Sequence, residues 1–481
     1  MKTFATRLGN YSIKKVLVLF TVLLSSCVNS HYDQTENFLF SWKIGDLKTA
    51  AVEAEKLSQS GPKKDRLLYK LEEGSTKRLS GDLKGSVRAL GEASKEYDRW
   101  FGVHLKADAR VSDQVSSVLG SAEWKPYKSR VYERVMMRMY QALNYLQLEE
   151  KGRARAEIFK SRQAIEDARQ IWSKELLAAQ EEMNRKGINL NRGMNEKDES
   201  SLQREISRIR SMIPPNLPDY VNPAAIYLEA LYFLRGGTQR EDFEKASFSL
   251  RRLAALFPEN QWIREDLGEA MSFKIDSQPK TYVFYESGRA PVRVEKRFDL
   301  PVVFFATNAR IPYLGLALPS LQTTGEILSP LRVGANGLEE ALSTSLLADM
   351  DAIIAKEFEK DYPLELSRAI AGALAKGGLQ YLATDSVRDE DDVTRAVVGI
   401  GAGLLAQVTT RADLRAWATL PRRIEVCKLS TPADKKLTLS GGGATFREVV
   451  TLNDSTTNLV WVRRISSHTP IRVVGVLSLD P

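Results

Sequence analysis

Two cysteines and three histidines in 481 residues leave little from which to build a disulfide framework or a metal centre. His31, His104 and His468 stand far apart, and no pair has the ligand spacing of a structural zinc site. Neither a metal nor a cofactor is expected. The nucleophile elbow G-x-S-x-G and the zinc-protease pattern H-E-x-x-H are also missing, and with them goes the simplest case for an enzyme. Long apolar runs are scarce too: Val16 to Leu24 gives nine residues, and "AVVGIGAGLLAQV" from Ala396 gives thirteen. A spanning helix takes about 20, so neither run is expected to cross a bilayer.

The N-terminus has a pattern of its own. "KKVLVLFTVLLSSC" follows a leader with Lys2, Arg7, Lys14 and Lys15 and no acidic residue. A basic leader, a short apolar run and small residues make a secretory signal. Its end, Leu24-Ser25-Ser26-Cys27, resembles the lipobox of bacterial lipoproteins. That resemblance implies acylation of the Cys27 thiol and cleavage before it, with residues 1–26 as signal peptide. Without them the formal charge falls from +8 to +4, too mild to argue for nucleic acid. At most it favours weak affinity for anionic polymers or lipid head groups. Cys427 then has no disulfide partner; "RRIEVCKLS" alternates like a strand and places its thiol in a core.

Along the rest of the chain the apolar period changes once. Residues 27–34 read as a polar tether. From 35 to 272, apolar residues recur at three and four, the helical spacing. "GDLKTAAVEAEKL" starts at Gly45 and "GDLKGSVRALGEA" at Gly81, 36 residues on. Around the second copy, Gly74, Gly81, Leu83, Leu90 and Ala93 fall where a tetratricopeptide repeat takes small or apolar residues. A third unit from Tyr140 has Glu149-Glu150 in place of Gly-Asp. A fourth begins at Asn222 and stops at Pro258, and "QWIREDLGEA" reads as a capping helix. A charged helix and a loop with Pro214, Pro215 and Pro218 interrupt the series.

From 277 to 481 the expectation is α+β. "TYVFYESGRAPVRVEKRFDLPVVFFAT" and "IPYLGLALPSL" alternate as strands. Helices are expected from Gly337 through "LEEALSTSLLADMDAIIAKEFEKDYP", "LELSRAIAGALAKGGLQYLAT" and "DVTRAVVGIGAGLLAQVTT". Strands resume after "RADLRAWATLP". The fold class is thus a helical solenoid of tetratricopeptide type followed by a mixed α+β domain.

Four short stretches invite a chemical reading. "GIGAG" at Gly399–Gly403 lies inside an apolar helix and lacks the strand–helix junction of a dinucleotide site; it reads as helix packing. "SGGGAT" at Ser440 has no lysine-serine tail and reads as a hairpin connection. The acidic run Asp389 to Asp392 lacks the spaced ligands and glycine of a calcium loop, and it precedes a helix whose dipole it complements. "YESGRAP" allows two readings. One is a strand ending in a tight turn, with Gly288 at positive φ and Pro291 closing it. The other is a recognition loop of Tyr285, Glu286, Gly288, Arg289 and Pro291. Trp417 and Trp461 stand in apolar runs and read as core.

The lipobox, the degenerate repeats and "VFYESGRAPVRVEKRFDLPV" together resemble a family of largely uncharacterised bacterial lipoproteins. Its Y-E-x-G-x-A-P-x-[KR] pattern matches Tyr285, Glu286, Gly288, Ala290, Pro291 and Arg293. "VYERVMMRMYQALNYL", "ADMDAI" and "RADLRAWATLP" extend the likeness over nearly the whole mature chain. The resemblance implies a periplasmic, lipid-anchored protein working beside other envelope proteins, and it brings no established activity. Val28, in place of an aspartate, points to the outer membrane. The expected function is a protein–protein interaction scaffold, with an enzyme or binding module acting on cell-wall polymer as the alternative.

Overall fold

The computed structural model describes residues 31–106, 125–185, 201–274, 278–301, 313–385, 411–441 and 446–480. Cys27, the acidic run at 389–392, "GIGAG" and most of "SGGGAT" lie outside them. Helices fill the N-terminal half and sheets the C-terminal half.

The helices come in hairpins: α1 (His31–Lys43) with α2 (Leu47–Ser60), α3 (Arg66–Ser80) with α4 (Leu83–Lys106), and α5 (Val131–Gln147) with α6 (Lys151–Arg185). After α7 (Ser201–Arg210) a fourth hairpin pairs α8 (Pro223–Gly236) with α9 (Arg240–Leu256), and α10 (Gln261–Ser272) packs on α9. Helix α1 begins inside the stretch read as tether, so its last four residues are helical. The reason lies in partners for these polar residues: Tyr69 Oη donates to Gln34 Oε1, Tyr32 Oη donates to Arg293 C=O, and Thr35 Oγ1 donates to His31 C=O.

The three Gly-Asp-type turns close alike. Gly45 N–H donates to Trp42 C=O and Asp46 N–H to Ser41 C=O; Gly81 and Asp82 repeat this to Arg78 and Lys77, and Glu149 and Glu150 to Leu146 and Tyr145. This pair of bonds closes a helix whose next residue is left-handed. Accordingly φ is 85° at Gly45, 93° at Gly81 and 61° at Glu149. Glu149 therefore keeps the turn that its sequence departs from, in a conformation that disfavours a side chain. The small residue Gly74 admits Leu90 of α4 so closely that an added Cβ would lie 2.4 Å from its Cδ2.

In the C-terminal half β1 (Lys280–Ser287) runs through Gly288 into β2 (Arg289–Pro301), which pairs with β3 (Tyr313–Thr324). Then come β4 (Arg332–Ala335), β5 (Leu342–Ser343), β6 (Ser345–Asp349) and α11 (Met350–Asp385). The chain finishes with β7 (Arg423–Ser430), β8 (Lys436–Ser440), β9 (Arg447–Thr451), β10 (Thr457–Arg464) and β11 (Arg472–Ser478). A five-stranded sheet has the order β11-β10-β1-β7-β6, and a four-stranded sheet the order β5-β4-β8-β9. β1 lies parallel to β10 and antiparallel to β7.

Two helix boundaries differ from expectation. The helix expected from Gly337 begins at Met350, because "LSTSLLAD" forms β5 and β6; β6 pairs with β7, and Thr344 Oγ1 accepts the Leu331 N–H. The stop expected near Pro363 does not occur, and α11 runs through that proline. The ring costs one helical bond, and packing of Ile353, Ile354, Phe358, Tyr362 and Leu366 offsets it.

The core ignores the boundary between the halves. One continuous buried cluster holds Leu68, Met136, Tyr227 and Leu231 of the helices with Phe284, Val426, Trp461 and Leu479 of the sheets. Helices α3, α5 and α8 contribute to it, while Phe38 and Trp42 of α1 pack in a smaller cluster with Leu47, Ala50, Ala54, Leu79 and Ile465. The guanidinium of Arg463 (β10) lies over the ring of Trp42 (α1), and α3 and α5 hold Trp417. Tyr227 of α8 packs on Tyr282 and Phe284 of β1.

Candidate functional site

Strand β1 is central in its sheet, and centrality decides what "YESGRAP" can do. Its residues alternate between faces. Tyr282, Phe284 and Glu286 turn toward the helices; Val283 and Tyr285 turn away. Tyr285 is 0% exposed and Glu286 2%. Glu286 Oε2 lies 3.8 Å from Arg463 Nε, with both side chains buried. Burial raises the Glu286 carboxyl above its ordinary range, with Arg463 and Arg78 opposing. Burial also pushes the Tyr285 phenol up to about 12.

Gly288 takes φ 68°, as the turn reading expected, but it kinks the chain between two strands and does not end one. Its N–H donates to Arg464 C=O, and an added Cβ would meet Arg422 Cβ at 3.0 Å. The register between β2 and β3 slips across Ala290 and Pro291, where the missing proline N–H does no harm. Thr324 Oγ1 donates to the freed carbonyls of Arg289 and Ala290. Tyr285, Glu286, Gly288 and Pro291 are all buried, and Arg289 is the half-buried member that reaches the surface.

A second constellation lies where the sequence reading named residues only as a likeness. Residues 411–420 run without regular structure along α3 and α5. Arg415 Nη1 meets Asp65 Oδ1 at 2.6 Å, its Nε donates to Asp413, and its Nη1 also reaches Lys125 C=O. Two buried carboxylates then receive backbone donors. Trp417 N–H donates to Glu133 Oε1 at 2.9 Å, and Ala418 N–H donates to Glu72 Oε1 at 2.6 Å. Thr419 Oγ1 donates to Glu72 Oε2 and lies 2.6 Å from Ser75 Oγ. The Trp417 indole N–H donates to Thr419 Oγ1 and Ser75 Oγ, and its ring meets Tyr140 edge-on with centroids 5.9 Å apart. Burial pushes Glu72 up to about 8, against the bonds from Thr419 and Ala418.

Glu357 on α11 works the same way at another seam. It accepts from Val131 and Tyr132 N–H, two of the donors a helix N-terminus leaves open. Burial, reinforced by Asp361, pushes its carboxyl up to about 7. Arg130 beside it pairs with Asp361 and Glu365.

The remaining singled-out residues fall into place. His31 stacks on Tyr69 with ring centroids 5.7 Å apart, and burial lowers it to about 4. His468 is exposed in the β10–β11 loop. Cys427 is buried in β7, and its thiol is pushed up to about 12 by that burial. Trp417 and Trp461 are core side chains. Among the described residues no group of three His, Cys, Asp or Glu side chains is placed to hold a metal, and no helix is long and apolar enough to cross a membrane.

Comparisons of the chain with family models, with curated proteins and with solved structures return no match.

The sequence reading missed Glu72, Glu133, Asp65 and Arg415 as a set. A signal was available: "LLYKLEEGSTKRL" carries polar residues all around a helix that apolar spacing alone would bury on one side. On such a helix the burial of Glu72 and Glu73 requires partners from elsewhere in the chain.

Proposed function

We infer that this chain is a lipid-anchored periplasmic protein that acts as an interaction scaffold of tetratricopeptide type. The observation that carries the reading is the grip of α3 and α5 on residues 411–420. The first helices of the hairpins hold an extended segment by burying one tryptophan and by accepting its backbone N–H groups on carboxylates. Repeat proteins of stacked helix pairs recognise extended partners on such a face. Here the chain itself fills that face, so partners are left the second helices of the hairpins. Three of these present an exposed apolar side chain: Val52 on α2, Phe159 on α6 and Phe248 on α9, exposed by 69%, 39% and 57%. The anchor at Cys27 supports placing that surface at a membrane, and Val28 favours the outer one.

The test has two arms. Cys27→Ser should release the protein from membranes washed in high salt; retention would overturn the anchor. A photocrosslinking residue at position 52, 159 or 248, expressed in cells, should trap the same envelope protein from all three sites. If none traps a partner while the anchor arm succeeds, the scaffold reading fails by itself.

A further inference from the structure

The turn between α1 and α2 gathers four positive charges against one exposed carboxylate in the same turn, Asp46, whose charge acts on Lys48. Lys43, Lys48 and Arg472 are exposed, and Arg289 is half-buried beside them. None of the four forms an ion pair among the described residues. Lys43 is held below the ordinary lysine value by its partial burial and by the charge of Arg289. Arg289 is itself lowered by burial. Gly45 packs on Thr469, and a small hollow there is lined by Gly45, Leu47, Leu79, Arg463 and Arg472. No carboxylate lines it.

The acids nearby are few, and each has a hydrogen-bond or charge partner of its own. Asp46 accepts the Thr49 N–H at the start of α2, Glu326 accepts the Ser467 N–H, and Glu286 is buried against Arg463. Beside the cations stand two exposed apolar side chains, Phe40 at 63% and Ile44 at 58%. A basic rim around an aromatic and an aliphatic side chain suits the boundary between head groups and acyl chains. Three residues lie between Cys27 and His31, four backbone steps with a reach of at most about 14 Å. An acylated Cys27 therefore holds the start of α1 within that reach of the bilayer; the corner at the other end of the helix is about 20 Å further on, near enough that even a weak contact is occupied.

We propose that the corner formed by Lys43, Lys48, Arg289 and Arg472 with Phe40 and Ile44 docks on the anionic phospholipid surface to which the chain is tethered. This rests on the lipid-anchor reading, and it fixes which end of the protein meets the membrane. Docking by the α1–α2 turn leaves Phe159 on α6 and Phe248 on α9 free for partners and puts Val52, one turn beyond Lys48 on α2, at the edge of the docked corner.

The experiment uses the mature chain made without its signal peptide, so that Cys27 carries no lipid. Its co-sedimentation is measured with vesicles of phosphatidylethanolamine and phosphatidylglycerol, and with vesicles of phosphatidylcholine. Each cation at an anionic surface contributes roughly a factor of five to partitioning. The triple variant Lys43→Ala, Arg289→Ala, Arg472→Ala should therefore bind phosphatidylglycerol vesicles about a hundredfold more weakly. The double variant Phe40→Ser, Ile44→Ser leaves the charges in place and should weaken binding as well. Lys43, Arg472, Phe40 and Ile44 are exposed, and thermal melts of each variant verify its fold. Equal binding to both vesicle types, or an unchanged triple variant, would overturn the proposal. Since no acyl chain is present, such a result leaves the Cys27 fractionation experiment to be judged separately. Displacement by free inorganic phosphate at concentrations matching the vesicle phosphate would also overturn it, by showing a soluble-anion site.

Discussion

Glu72→Gln should make the protein less sensitive to alkali. In the native state Glu72 is buried beneath Ala418 and Thr419 and titrates at about 8, against 4.5 for an ordinary glutamate. A carboxyl with a raised native pKa binds more protons in the folded than in the unfolded state. Its contribution to stability is therefore complete below about 4.5 and is lost as pH rises through about 8. At 1.36 kcal/mol per unit, the full loss between these limits is about 5 kcal/mol. The substituted glutamine would carry no proton linkage. Its carbonyl can still accept the Ala418 N–H, and its amide can donate to Thr419 Oγ1, so the variant at pH 5 should match wild type within about 1 kcal/mol. The assay is urea unfolding at a series of pH values between 5 and 9, with stability taken from midpoint and slope. Glu357 also titrates high, at about 7, and it bends both curves alike. The difference between the two proteins isolates Glu72. Wild type should lose several kcal/mol relative to the variant across that range. Parallel curves would refute the buried, protonated Glu72 and with it the account of how residues 411–420 are held.

Four further outcomes follow from single positions. Glu149→Gly relieves a left-handed residue costing about 1–2 kcal/mol and returns part of that as chain entropy; a net gain of about 0.5–1 kcal/mol should show in denaturant melts, while Gly81→Ala at the matching turn should lose about 1 kcal/mol. Gly288→Ala forces a side chain into φ 68° and against Arg422, and a loss of about 1–3 kcal/mol is expected by the same measurement. Trp417→Ala empties a fully buried site and should cost about 3–5 kcal/mol; brief trypsin treatment should then cleave at Arg415, which wild type protects, and equal protection in the variant would refute the role given to the indole.

Local grammar was legible in the sequence, and long-range closure was not. The paired-helix units could be read because each depends on near neighbours: an apolar stripe, a turn, and small residues such as Gly74 where two helices touch. Even the substitution at Glu149-Glu150 left the turn intact, since the backbone bonds that close it need no particular side chain. Strand identity was readable for β1, β7, β10 and β11 from alternation. The adjacency of β1 and β10 was not. Glu286 and Arg463, paired across it, stand 177 residues apart in the chain, and parallel pairing leaves no local mark. The helix expected over "LEEALSTSLLAD" failed for the same reason. Its helical spacing is real, yet β7 offered β6 a ladder that outweighed local preference. At "YESGRAP" the positive φ of Gly288 was legible from residue type. The burial of Tyr285 and Glu286 was not, since it follows from β1 lying at the centre of a sheet whose other strands come much later.

The buried carboxylates explain why the two halves form one body. Glu72 and Glu133 accept backbone N–H groups of the segment before β7, Glu357 accepts those of α5, and Asp266 of α10 receives Tyr227, Tyr282 and Lys428 at 2.5, 2.7 and 2.9 Å. Each of these carboxylates joins helices to the half that carries the sheets. Such groups contribute little net stability, since desolvation cancels most of their attraction, but a wrong pairing would strand a buried acid group without partners at a cost of about 1–3 kcal/mol, more where it is charged. Apolar contact alone would let the sheets slide on the hairpins, because one leucine fits much like another. The carboxylates accept only one register. The inner face of the hairpins is thereby committed to the chain's own C-terminal half, and the surfaces proposed above for recognition, the second helices and the basic corner at the α1–α2 turn, are those it leaves outside.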